Sequence, residues 1–322
     1  MDPELLIKIA REYGTPVYVY DEGLIRRNYR EFYLAFKSRY RDVKVFYAYK
    51  ANSNLAICHI LKEEGAKADV VSGGELKVAL KVGLNPRDII FTNNSKTRQE
   101  LELAVDSGVV INVDSRDELY RIHEIAEERD KPASVSFRVN PSIDPRTHPK
   151  IATGLRESKF GIHLEGDLAL NTYRVAMELD NIEVSGVHTH IGSQITCSGV
   201  FRDAAEKIME FVYELHEKLG LKLKFVDLGG GLGINYRGDE KTITPDELAG
   251  EIITVMDKWN EKLGYGPELW LEPGRYLVGN AGVLLCEVQG VKETPCRKFI
   301  NVDAGFTTLA RPVLYDAYHR VG

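Results

Sequence analysis

Short runs of β-branched and aromatic residues alternate along most of the chain with longer stretches whose apolar residues recur every three or four positions. The runs Val43–Tyr49, Ala68–Ser72, Ile89–Asn93, Val109–Asp114, Ser134–Asn140, Ile182–His190, Lys224–Leu228 and Glu268–Leu271 predict strands. The intervening stretches predict amphipathic helices, and three carry start signals: Thr97 with Glu100, Ser115 with Glu118, and Thr244-Pro245-Asp246-Glu247. Such alternation predicts βα units and a parallel sheet. Eight strands, each followed by a crossover, predict an α/β fold with a (β/α)8 TIM-like barrel; the alternative is a flavodoxin-like or Rossmann sheet with an extra unit.

Outside that series the pattern changes. Thr15–Tyr20 reads as a strand before the first unit, and Val283–Val291 and Lys298–Val302 read as strands after the eighth with no helix between them. This predicts a second, all-β domain built from both chain ends: residues 1–25 contributing to it, 26–275 forming the barrel, and 276–322 a partial C-terminal portion. One strand and a hairpin make a thin sheet, so this domain is expected to be incomplete within these residues.

Composition narrows the functional classes. The 322 residues carry 42 Lys plus Arg against 48 Asp plus Glu, a net charge of −6 with no basic stripe, which argues against a nucleic-acid partner. The longest uncharged apolar stretch, Tyr276–Cys286, is much shorter than the ~20 residues of a membrane span, so no membrane partner is expected. Asp2, Glu4 and Lys8 interrupt what would be the apolar region of a signal peptide, and Cys58, Cys197, Cys286 and Cys296 form no CxxC pair, which predicts a reducing, cytoplasmic setting.

A (β/α)8 barrel places its chemistry at the C-terminal ends of its strands. Lys50 closes the first, where partial desolvation would lower its pKa and suit it to Schiff-base chemistry, although a lone lysine there is more often a surface residue. His188-Thr189-His190-Ile191-Gly192-Ser193 follows the sixth strand, Gly229-Gly230-Gly231 the seventh, and Glu272-Pro273-Gly274-Arg275 the eighth. Glycines there let backbone N–H groups close on a phosphate, or form a tight turn with no ligand. They do not match GxGxxG, because Ile234 falls where the third glycine belongs, and no Walker loop follows.

A lysine, a phosphate cradle, a stacking ring and an acid on one rim form a constellation for pyridoxal 5′-phosphate. In it Lys50 would carry the cofactor, with Gly229–Gly231, Ser193, Gly274 and Arg275 on the phosphate. His190 would lie against the ring and Glu272 would pair with the ring nitrogen. A competing reading takes His188 and His190, two apart on a strand, as metal ligands with Asp69, Glu75, Asp114 or Glu272; it leaves Lys50 and the glycines unexplained, so no metal is expected and His188 reads as a satisfied core histidine.

The motifs FYAYKAN (Phe46–Asn52), ADVVSGGEL (Ala68–Leu76), FRVNP (Phe137–Pro141), SKFGI (Ser158–Ile162), HTHIGSQI (His188–Ile195), DLGGGLGI (Asp227–Ile234), EPGR (Glu272–Arg275), VDAG (Val302–Gly305) and RPVLYDAYH (Arg311–His319) run in order from about Gly14 to the end. By them the chain resembles the fold-type III pyridoxal phosphate-dependent decarboxylases. HIGSQ and RPxLYxAYH make it more similar to the diaminopimelate decarboxylases than to ornithine and arginine decarboxylases or alanine racemase.

The resemblance implies a homodimer with active sites at its interface and a small amino-acid substrate. The implied reaction is removal as CO2 of the carboxylate at the D-configured carbon of meso-2,6-diaminopimelate, giving L-lysine, the last step of lysine biosynthesis. Lys50, His190 and Glu272 would be catalytic, and Asp69, Ser193, Gly229, Gly230, Gly231, Gly274 and Arg275 would join them around the cofactor. Arg275, Arg311 and Tyr315 would contact the substrate, the two arginines gripping its distal carboxylate. Asp69 and Glu75, near the lysine, and Arg138 match positions that serve either the site or structural ion pairs. The family's Cys-Glu-Ser proton-donor segment and late tyrosine have no counterpart here, and Cys286 and Cys296 do not supply it. Alternatives therefore stay open: another basic amino-acid decarboxylase, or a catalytically impaired pyridoxal phosphate-binding homologue.

Overall fold

Val17–Tyr20 (β1) and the helix Glu22–Lys37 precede a ring of parallel strands in the computed structural model, which describes residues 1–145, 147–238 and 242–322. The ring runs Val43–Ala48 (β2), Lys67–Val70 (β3), Ile89–Phe91 (β4), Val110–Val113 (β5) and Ala133–Asn140 (β6), with Ile162–His163 (β7) added to the end of β6. It continues through Ile182–His188 (β8), Phe225–Asp227 (β9) and Glu268–Leu271 (β10). β10 then pairs with β2 in the register Leu269↔Val43 and Leu271↔Val45, closing a barrel and excluding the open-sheet alternative.

Buried on both faces, these strands read as nearly continuous apolar runs. Alternate side chains face inward and outward. Phe46, Ile90, Val110, Phe225 and Trp270 form their own cluster, in which the Phe225 and Trp270 rings stack with centroids 3.5 Å apart. Gly186 pairs with Phe225 across β8 and β9, and a Cβ at that position would lie 2.4 Å from the Phe225 ring. The glycine is thus the vacancy into which the phenylalanine packs.

The start signals place the outer helices. Thr97 and Thr244 form full capping boxes with Glu100 and Glu247, and Pro245 opens its helix. At Ser115 the hydroxyl accepts from the Glu118 N–H, but the Glu118 carboxylate turns to the Asp114 N–H (2.8 Å). The expected helix after the eighth strand is only the single turn Arg275–Val278; Glu22–Lys37 packs between Leu55–Glu63 and Pro245–Leu263 in its stead. The boundary expected after residue 25 accordingly falls inside Glu22–Lys37, whose Ile25 is in the barrel core, and Leu277, Val278 and Ala281 belong to that core too.

Several strands stop short of their apolar runs. Tyr49, Leu228 and Thr189–His190 lie beyond β2, β9 and β8: Tyr49 opens the turn that carries Lys50, while the Thr189 and Leu228 N–H groups still reach the Asp227 (2.9 Å) and Trp270 (3.1 Å) carbonyls of the neighbouring strands. Beyond the barrel, β1 pairs antiparallel with Gly282–Leu285 (β11), while Val288–Glu293 (β12) and Lys298–Val302 (β13) form a hairpin. The expected single strand over Val283–Val291 is therefore two. Asp303 accepts from the Glu287 N–H (2.9 Å) and donates its own N–H to the Glu287 carbonyl (3.2 Å), which draws the chain away from β1 toward β13.

Gly186→Val would force the new side chain into Phe225. Overpacking of a closed core costs about 1–3 kcal/mol, and the midpoint of chemical denaturation is expected to fall accordingly. An unchanged midpoint would place Phe225 elsewhere.

Candidate active site

Lys50 sits in the turn Tyr49–Ala51 directly after β2. Its ammonium pairs with Asp69 of β3, and the second Asp69 oxygen takes the Thr92 hydroxyl, so a fully buried carboxylate is held from two sides. The Lys50 side chain is 42 % exposed, open to the barrel mouth. The lowered pKa expected of this lysine is not found. Burial does push it down, but the Asp69 and Glu272 carboxylates outweigh that and hold it above its ordinary value.

Glu272 follows β10 and is nearly inaccessible; its Oε2 lies 3.2 Å from His188 Nε2 at the end of β8, and its Oε1 has no partner. Asp227 closes β9 beside them, its Oδ1 accepting from the Gly229 N–H (2.8 Å). His188, Asp227 and Glu272 bring ligand atoms within 4.8 Å of one another. Sequence reasoning missed Asp227; the available signal was an acid ending an apolar strand just ahead of the glycines. Burial, reinforced by Arg138, drives the His188 imidazole well below its usual range, so it is neutral. It is not the fully satisfied core histidine expected, because Nδ1 has no partner.

His188 and Glu272 come together, but His190 does not join them as a paired-histidine metal set. β8 ends at His188, so the strand alternation that would align His190 with it does not continue. Instead His190 Nδ1 accepts from the Gly230 N–H (3.2 Å), which leaves the ring proton on Nε2. Burial and the nearby Lys50 and Arg138 keep this ring neutral as well. Of the acids named for that set, Asp69 holds Lys50, Glu75 accepts from the Val71 N–H (2.9 Å) at a helix start, and Asp114 accepts from the Gly161 N–H (3.0 Å). Arg138 is buried, with its guanidinium 4.5 Å from the centre of the Phe160 ring.

The glycine loop is cut to fit. Gly229 has φ +68°, and a Cβ on Gly230 would lie 2.0 Å from the Glu272 carbonyl oxygen. Two of its amides are already engaged, with Asp227 and His190 as described. The Gly231 and Gly274 amides carry no such partner among the described residues. Arg275 reaches across to the Ser193 hydroxyl with Nη2 at 3.0 Å and Nε at 3.3 Å, and donates from Nη1 to the Tyr236 hydroxyl at 2.6 Å.

Tyr236, also missed in the sequence, organises the far side. The Arg311 guanidinium lies 4.5 Å from its ring centre, and Arg311 Nη1 is 3.1 Å from His319 Nε2. Arg311 opens and Tyr315 ends the short helix Arg311–Tyr315, and the Tyr315 ring is edge-on to His148. Burial and the neighbouring Arg275 both push the Arg311 pKa down. Among the described residues neither arginine has an acidic partner. Two adjacent guanidiniums without a counter-ion form a place for an anion.

Asp69→Asn keeps the shape at Lys50 but removes its counter-charge. Burial then favours the neutral amine, so the Lys50 pKa should fall and its labelling by an amine-reactive reagent at fixed mildly alkaline pH should accelerate. Mass-spectrometric mapping against pH checks this; an unchanged Lys50 titration would contradict the pairing.

The family described as pyridoxal-dependent decarboxylase, pyridoxal binding domain, matches residues 22–279. The diaminopimelate decarboxylase of Methanocaldococcus jannaschii is 44% identical over 320 residues, covering 98% of this chain and 73% of that one. That of Archaeoglobus fulgidus is 46% identical over 314 residues, with 98% and 73% covered. The crystal structure of the M. jannaschii enzyme in complex with L-lysine superposes with a TM-score of 0.93 at 44% identity, covering 98% of this chain and 73% of that one.

Proposed function

The chain belongs to the pyridoxal-dependent decarboxylases, and on that premise we propose that it removes one carboxylate of meso-2,6-diaminopimelate as CO2, from the D-configured carbon, leaving L-lysine. The observation that carries this reading is the convergence of Lys50, His190 and Glu272 on one barrel rim with two arginines that lack acidic partners.

The residues present fit pyridoxal 5′-phosphate. Glu272 keeps one buried carboxylate oxygen without a partner, and the glycine loop admits no side chain at Gly230. When bound, the cofactor supplies an electron sink for the pair left as the C–CO2 bond breaks. Lys50 would hold it through the ε-amine, whose charge Asp69 supports at the mouth. Glu272 would pair with the ring nitrogen and favour its protonated form. His190, kept neutral by burial and oriented by the Gly230 N–H, would stack on the ring. Ser193, the Gly229–Gly231 loop, Gly274 and Arg275 would hold the phosphate.

Substrate choice rests on the far side. Arg275, Arg311 and Tyr315 receive the distal carboxylate, which ornithine and lysine lack, and this favours diaminopimelate over the other basic amino acids. The same reading makes the protein a cytoplasmic homodimer. Its support is the exposed apolar side chains of the β12–β13 hairpin, among them the cross-strand pair Val291 and Ile300, together with four free cysteines; among the described residues no helix is long and apolar enough to cross a membrane.

CO2 release from meso-2,6-diaminopimelate by the cofactor-loaded protein tests the proposal. Lys50→Ala should abolish turnover. Arg311→Leu should raise KM about ten- to a hundredfold, matching loss of a charge-assisted hydrogen-bonded pair, with a smaller change in kcat. Cofactor binding without CO2 release would instead favour a non-catalytic carrier, and consumption of ornithine another decarboxylase.

A further inference from the structure

Two carboxyl groups and an imidazole meet in a dry space between the ends of β8, β9 and β10. Asp227 is 0% exposed, Glu272 3% and His188 1%. Their contacts are few: His188 Nε2 to Glu272 Oε2 at 3.2 Å, and the Gly229 N–H to Asp227 Oδ1 at 2.8 Å. Asp227 Oδ2, Glu272 Oε1 and His188 Nδ1 have no partner.

Charge decides what this arrangement can be. The other charged groups facing it are Lys50, Asp69, Arg138 and the buried Lys96, the last of which is paired with Glu118 (3.1 Å). Lys50 is engaged by Asp69, Arg138 lies over the Phe160 ring, and neither cation forms an ion pair with Asp227 or Glu272. Two ionised carboxylates so placed would each carry a desolvation cost and repel one another, so one must keep its proton. The imidazole indicates which. A buried nitrogen lone pair without a partner is easier to accommodate than a buried N–H without one, which puts the His188 proton on Nε2, donating to Glu272. Glu272 therefore has a donor that stabilises its charge. Asp227 has a single backbone N–H and an unpartnered oxygen beside Glu272, an arrangement of two facing acceptors that a proton on one of them resolves.

We propose that Asp227 is held as a neutral carboxylic acid that donates to Glu272 and, with the His188 Nε2–H, fixes Glu272 as the ionised carboxylate aimed at the cofactor. Asp227 and His188 are thus positioning residues, acting on the cofactor only through Glu272. Burial first, and then the Glu272 charge, push Asp227 well above the ordinary carboxylate range, in the direction this requires. The proposal rests on the assignment of Glu272 as partner of the ring nitrogen, but its protonation state can be read without the cofactor.

Infrared spectra of the full chain, recorded without and with pyridoxal 5′-phosphate, are expected in both states to show a protonated-carboxyl band at neutral pH that shifts on ¹³C-aspartate labelling and disappears in Asp227→Asn. Absence of any aspartate-sensitive band in the labelled wild type overturns the proposal even if a variant fails to fold. In parallel, Asp227→Ala should weaken cofactor binding at least about tenfold and Asp227→Asn, a neutral donor of the same shape, should restore it to within about threefold. Absence of the band, its survival in Asp227→Asn, or a stoichiometric divalent metal in the purified protein would overturn the proposal. So would Asp227→Asn binding as weakly as Asp227→Ala. Failure of the wild type itself to bind the cofactor would instead refute the assignment of Glu272, leaving the band in the cofactor-free protein to decide the state of Asp227.

Discussion

The pairing of β10 with β2 is the constraint on which the site depends. It joins strands more than two hundred residues apart, in the register Leu269↔Val43. Because Lys50 leaves β2 and Glu272 leaves β10 at the same end, closing the barrel brings the lysine and the acid to neighbouring points of one rim. A parallel barrel aligns all its C-terminal ends, so β3 contributes Asp69, β8 His188 and β9 Asp227 to the same place. The interior cluster around Phe225 and Trp270 fills the space beneath them.

That packing has an electrostatic consequence. A rim built on a dry floor gathers acids where water cannot solvate them, and each is accommodated differently. Asp69 is held by Lys50 and Thr92, Asp114 by the Gly161 N–H, and Glu272 by His188. The far side reverses the sign, with Arg275 and Arg311 arranged about the Tyr236 ring and no acid against them among the described residues. The site therefore offers a buried anion at one end and uncompensated cations at the other.

The barrel was legible because its signals are local. The period of the apolar residues identified eight strands, and Thr97–Glu100 and Thr244–Glu247 formed the capping boxes they announced. Where nonlocal contacts decide, the sequence was less informative. The exchange of hydrogen bonds between Glu287 and Asp303 splits one apolar run into two strands, and a helix from before β2 occupies the seat after the eighth strand. At the rim, Lys50, His190, Glu272 and the glycines stand out in the sequence because their chemistry is distinctive at strand ends. Asp227 and Tyr236 were not, since a strand-end acid and a loop tyrosine are unremarkable until the fold sets them against Glu272 and the two arginines. The lysine's pKa was misjudged for the same reason, its counter-ion lying on the next strand.

The central claim is that barrel closure makes Lys50 the residue that carries the cofactor. Borohydride reduction of the cofactor-loaded protein, followed by peptide mapping, tests it most directly. The account predicts a pyridoxyl label on the peptide containing Lys50, with none on the buried Lys96 or on surface lysines. A label on another lysine, or none with cofactor in excess, would contradict it.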